Sequence, residues 1–167
     1  MTSTSSQFRM QFLLGALACA ALMGYALYAQ YVLHLEPCPL CIFQRVAVIA
    51  LGVVFLLGAL AGPKSPGGRR AWSLLATLMA LIGIAVAGRH LWIQSLPADQ
   101  VPACGPPLPY MLHMMSFSKV LTKVFTGSGE CAQINWRFLG LAMPGWVMIG
   151  FVVLAGWAIF AGFRRKG

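Results

Sequence analysis

Residues 42–61 read Ile42-Phe-Gln-Arg-Val-Ala-Val-Ile-Ala-Leu-Gly-Val-Val-Phe-Leu-Leu-Gly-Ala-Leu-Ala61. A helix rises 1.5 Å per residue and needs about 20 residues to cross a hydrocarbon core. This run has that length, and its one charge, Arg45, lies near one end. Lipid offers backbone amides no partner, so only helices and closed barrels span it, and the run lacks the alternation of a barrel strand. It is therefore a transmembrane helix. Working outward, Phe12 to Val32, Ala71 to Ile93 and Met143 to Phe163 are apolar runs of the same kind. The first continues well beyond the roughly 7 to 15 apolar residues of a signal peptide, so it is read as a retained helix.

The composition agrees. With 59% hydrophobic and 9% charged residues and a mean hydropathy of +0.79, a soluble globular domain is excluded. A formal charge of +9 would suggest nucleic acid in a soluble chain. Here the basic residues stand singly or in short clusters between apolar runs and read as topology signals. Glu36-Pro37, the stretch from Gly62 to Gly68 and the long segment from Gln94 to Ala142 punctuate the runs, and no internal repeat appears. The expected fold is all-α: one membrane domain over residues 1–167, with spans at about 12–32, 42–61, 71–93 and 143–163 and loops at about 33–41 and 94–142.

Arg9, the Lys64, Arg69, Arg70 loop and the Arg164, Arg165, Lys166 tail share one side of such a bundle. An excess of Lys and Arg marks the cytoplasmic face, so both termini are expected inside. Cys38, Cys41, Cys104 and Cys131 then fall on the periplasmic side of a bacterial inner membrane, an oxidising compartment. They come as one pair per outer loop.

Cys38-Pro39-Leu40-Cys41 has the C-x-x-C spacing of redox-active pairs and sits at the mouth of the second span. Cys41 is expected at the helix start, where free amides and the positive dipole end favour its thiolate. Arg45 lies one turn further on the same face, able to stabilise that thiolate and to hydrogen-bond an acceptor oxygen in the outer leaflet. Its alternative is a snorkelling residue, but an Arg inside the outer end of a span runs against the charge rule and more often lines a site. Arg89 and His90 close the third span at the same level and are candidates to complete the pocket, His90 equally readable as an interface residue.

Cys104 and Cys131 enclose a loop in which Phe117, Val120, Leu121, Val124 and Phe125 recur at helical spacing, with Lys119 and Lys123 opposite. That pattern describes a short amphipathic helix on the membrane surface, or simple packing under a capped loop. A purely structural bridge would stabilise the loop by about 3 to 4 kcal/mol. Cys19, mid-span and without a partner in the sequence, reads as a small packed residue.

Cys38-Pro-Leu-Cys-Ile-Phe-Gln-Arg45, the paired Cys104, Gly129-Glu-Cys-Ala132 and Trp136-Arg-Phe-Leu-Gly-Leu-Ala-Met-Pro144 together resemble the DsbB family of membrane quinone reductases, and the resemblance runs from the first span to the last. It implies a four-helix bundle, bound ubiquinone or menaquinone, and a soluble thioredoxin-fold partner of the DsbA type. It further implies that Cys104 receives the partner's cysteine, that the freed Cys131 attacks Cys38, and that Cys41 faces a quinone whose oxygen Arg45 holds. The spacing alone does not decide which loop cysteine is attacked. A structural bridge near −300 mV would oxidise a partner near −120 mV only by climbing about 180 mV, roughly 8 kcal/mol. The loop bridge must therefore be strained, exposed or drawn forward by quinone.

No metal ligand is assigned. Two rival classes are a metal-handling protein using C-x-x-C with His34 and Glu36, and a scaffold with two structural bridges. The first needs reduced thiolates in an oxidising compartment. The second would release no quinol. Within the family, service to a dedicated partner is equally compatible with these residues.

Overall fold

The structure, a computed structural model, describes residues 2–97, 99–101, 108–126, 129–134 and 136–164, with the side chains of all of these except 2–4, 108–109, 112, 117, 121 and 123–125. Four long helices dominate: α1 Thr2–Tyr31, α2 Pro39–Ala61, α3 Pro66–Gln94 and α7 Met143–Phe163. All four are long and apolar enough to cross a membrane. Between α3 and α7 lie α4 Leu108–Met114, α5 Phe117–Thr126, α6 Gly129–Ala132 and a small antiparallel pair, β1 Arg137–Phe138 and β2 Leu141–Ala142.

The helices outrun the apolar stretches because polar ends are stitched to one another. Ser5 Oγ donates to the Gly62 carbonyl (3.0 Å) and Arg9 Nε to the Ala59 carbonyl (3.1 Å), satisfying orphan acceptors at the C-terminus of α2. There Gly62 closes the helix in the left-handed region at φ 51°. α3 starts ahead of its apolar run because Ser65 caps it, its Oγ accepting from the Gly68 amide, with Pro66 in the first turn.

In lipid, large apolar side chains gain nothing by turning inward, and Leu17, Leu60 and Val153 are more than half exposed. Association rests instead on close approach of small residues. α3 buries Ser73, Ala76, Ala80, Gly83 and Ala87, and α7 comes closest to it. Ser73 Oγ donates to the Ala158 carbonyl, and the Phe151 ring occupies the space a Cβ at Gly83 would need. Between α1 and α2, Phe12 stacks on Phe8 (4.1 Å) and meets Phe55 edge-on (5.1 Å). Cys19 is buried opposite Gly52 in this interface. Neighbours pack in the order α1–α2–α3–α7, and the α1–α7 seam that closes the ring is thin.

A second apolar cluster caps the cysteine-bearing end. It joins Leu40, Val86 and Ile93 of the long helices to Met111, Val120 and Cys131 of the loop. Val120 thus turns its face of α5 onto protein, while Lys119 is exposed. The Phe117, Leu121, Lys123, Val124 and Phe125 side chains of the expected stripe lie outside the described residues. The strand pair is a departure from a purely helical reading. Arg137 pairs with Ala142 and Phe138 with Leu141, and Leu139 (φ 50°) and Gly140 (φ 82°) make the two-residue turn, the left-handed geometry that hairpin twist favours.

Candidate redox site at the mouth of the second helix

Cys38 is the N-cap of α2 and Pro39 its first residue. The Cys41 amide donates to Cys38 Sγ at 3.4 Å, and the two sulfurs stand 3.0 Å apart. Cys41 is thus the third residue of the helix, in its first turn as expected, and its own amide, one of the free helix-end donors, serves the Cys38 sulfur. Both cysteines line a cleft of about 250 Å3.

Arg45 lines the same cleft. Its guanidinium donates Nη1–H to Gln30 Oε1 and Nη2–H to the Ala26 carbonyl (3.0 Å), so α1 orients the cation against the cleft wall. Tyr25, Trp136 and Trp146 contribute aromatic surface to the lining. Trp136 connects Tyr25 to Phe138, with centroids 6.1 Å apart on each side, and Trp146 Nε1 donates to the Phe138 carbonyl (3.1 Å).

His90 is 2% exposed and knits three segments together. Its Nε2 lies 3.0 Å from the Cys131 carbonyl and 3.7 Å from Cys38 Sγ, and its Nδ1 lies 3.1 Å from Gln44 Nε2. A carbonyl only accepts, so Nε2 carries the proton; Nδ1 is then an acceptor, which the Gln44 amide matches. Cys131 is fully buried, and the Cys38, His90 and Cys131 donor atoms all lie within 4.8 Å of one another.

Arg89 is not brought to the cleft. One step round the helix from His90, its guanidinium sits 4.1 Å over the Trp92 ring and donates to the Thr126 carbonyl (3.1 Å), clasping the end of α5. Cys104 lies outside the described residues. His34 and Glu36 do not join the thiol cluster. Sequence reasoning passed over Gln44 and Gln30, which orient His90 and Arg45, and Gln94, which lines the cleft with a buried Oε1 that has no hydrogen-bond partner among the described residues. Their signal was available: a buried amide inside an apolar span needs a polar partner.

A bundle of apolar helices with a C-x-x-C pair at one helix mouth and a loop cysteine brought against it defines a membrane-embedded thiol–disulfide oxidoreductase. Comparison with known proteins places the chain more closely. The family model described as Disulfide bond formation protein DsbB matches residues 8–161. Proteins named Disulfide bond formation protein B are 54% identical over 160 residues in Xanthomonas campestris pv. campestris (96% of this chain, 93% of the relative). In Hahella chejuensis the identity is 55% over 150 residues (89% and 90%), and in Nitrosococcus oceani 53% over 146 residues (87% and 86%). The chain belongs to the DsbB family and is a multi-pass membrane oxidoreductase that generates disulfide bonds.

Proposed function

We propose that the chain is a protein dithiol:quinone oxidoreductase of the bacterial inner membrane, with both termini cytoplasmic and its four outer cysteines in the periplasm. It reoxidises a DsbA-type thioredoxin-fold protein. The observation that carries this reading is the approach of Cys131 to Cys38, within 4.8 Å, at the rim of a cleft that also holds Cys41 and Arg45.

The partner's cysteine attacks Cys104 in a Cys104–Cys131 disulfide, and Cys131 leaves as a thiolate. Held by His90 through its carbonyl, Cys131 attacks Cys38 Sγ of the Cys38–Cys41 disulfide, and Cys41 leaves with the electron pair. The cleft suits a quinone ring: aromatic walls match its planar face and Arg45 N–H groups match its acceptor oxygens, while the buried Gln94 oxygen would accept from a hydroxyl of the quinol. Arg45 is the residue that would hold a ring oxygen, and His90 lies at the cysteine end of the same cleft. The partner's second cysteine then displaces Cys104, whose thiolate attacks Cys131 and releases Cys38 as a thiolate beside Cys41. A bound ubiquinone or menaquinone would supply the two-electron, two-proton acceptor that lets Cys38 and Cys41 close their disulfide again. Arg89 steadies the loop that presents Cys131.

The test is to mix detergent-solubilised protein with quinone and a reduced DsbA-type protein and to follow quinone absorbance. Catalytic loss of that absorbance supports the reading; an inert mixture defeats it. A dedicated partner in place of a general oxidase would show as turnover with one thioredoxin-fold protein and not another.

A further inference from the structure

We infer that in its fully reduced form the chain binds a single thiophilic divalent cation, such as Zn2+, through Cys38, Cys41, Cys131 and His90. In a tetrahedral site with Zn–S near 2.3 Å and Zn–N near 2.0–2.1 Å, ligand sulfur and nitrogen stand about 3.6 Å apart and two sulfurs about 3.8 Å. Cys38 Sγ and His90 Nε2 are 3.7 Å apart. All three donors of Cys38, His90 and Cys131 fall within 4.8 Å, so a shift of about 1 Å brings them to ligating separations. Cys41 Sγ, 3.0 Å from Cys38 Sγ, lies outside that 4.8 Å cluster and supplies the fourth position by turning toward it.

The surroundings suit a closed site. Cys38 is 9% exposed and Cys131 0%, and the Glu36 and Glu130 carboxylates line the cleft through which a cation enters. To ligate, His90 must free Nε2 and carry its proton on Nδ1. Gln44, already 3.1 Å from Nδ1, accepts a hydrogen bond from that N–H once its amide turns to present Oε1, the outer hydrogen bond that metal-bound histidines characteristically make. Binding transfers no electrons: three thiols release three protons, and the imidazole proton moves from Nε2 to Nδ1. The cation then occupies the sulfurs that must bond to one another during turnover, which makes it a brake on the reduced enzyme. That consequence rests on the relay proposed above; the site itself rests on geometry alone.

The experiment titrates the anaerobically reduced protein, without quinone or partner, with Co2+ and then displaces it with Zn2+. One equivalent of Co2+ with the intense visible bands of tetrahedral thiolate coordination is expected. Cys131→Ser and His90→Ala should each weaken binding at least about tenfold, and the remote Cys19→Ala should not. Misfolding also weakens binding, so Gln44→Glu provides the opposing arm: a carboxylate facing Nδ1–H should tighten it severalfold. Absence of binding overturns the inference, as does undiminished binding in both Cys131→Ser and His90→Ala, which would leave the ion on the C-x-x-C pair alone. Gln44→Glu that binds no more tightly removes His90 from the ligand set and overturns it as well. Failure of the relay reading would appear separately, as an inert quinone assay with no cation present.

Discussion

His90 Nε2 lies 3.0 Å from the carbonyl oxygen of Cys131, so the third membrane helix grips the outer loop at the very residue whose sulfur stands against Cys38. The bond acts on the main chain and not on the sulfur itself. Losing one donor to a buried carbonyl costs about 1 to 3 kcal/mol. His90→Ala should therefore slow transfer between the two cysteine pairs roughly tenfold to a hundredfold. Rapid-quench trapping of the Cys38–Cys131 bond is the measurement, and an unchanged rate would remove His90 from this role.

Arg45→Met keeps the aliphatic stem and deletes the planar cation on the cleft wall. A charge-assisted hydrogen bond is worth about 1.5 to 3 kcal/mol, so the apparent quinone affinity should fall about tenfold to a hundredfold. Single-turnover oxidation of the partner, started from preformed disulfides, should survive. Steady-state titration with a short-chain quinone distinguishes this from a snorkelling Arg45, which would leave affinity untouched.

Two pairs acting in series predict a division of labour. Cys104→Ser should abolish turnover with the protein partner yet retain quinone reduction by a small dithiol that reaches Cys38 directly. Cys41→Ser should lose both. Full partner activity in Cys104→Ser would mean that the loop bridge is structural.

The α3–α7 contact makes a stability prediction independent of chemistry. A methyl at Gly83 enters the space of the Phe151 ring, and overpacking of this kind costs about 1 to 3 kcal/mol. Gly83→Ala should lower the unfolding temperature in detergent. Gly83→Ala combined with Phe151→Leu should recover part of that loss, and additive losses would show that the two residues do not share the interface.

Topology is testable on intact cells. After reduction, a membrane-impermeant thiol reagent should modify the outer cysteines without opening the inner membrane. Labelling that requires permeabilisation would invert the orientation and remove the proposed function with it.

The amino-acid sequence by itself determined the four membrane helices, because a run such as Ile42 to Ala61 has no other stable form in lipid. It also determined the C-x-x-C pair and the Arg45 that follows it, since these are matters of local spacing. Tertiary structure decided what local spacing does not encode. Cys38 becomes the cap of α2 and accepts from the Cys41 amide. One helical step separates His90, turned inward to Cys131 and Gln44, from Arg89, turned outward to Trp92 and Thr126. Both are polar residues at the same span end, and only the position of the packed loop distinguishes them. Gln30 and Gln44 acquire their roles the same way: a buried amide announces a need for a partner, but the partner is chosen by which helices meet.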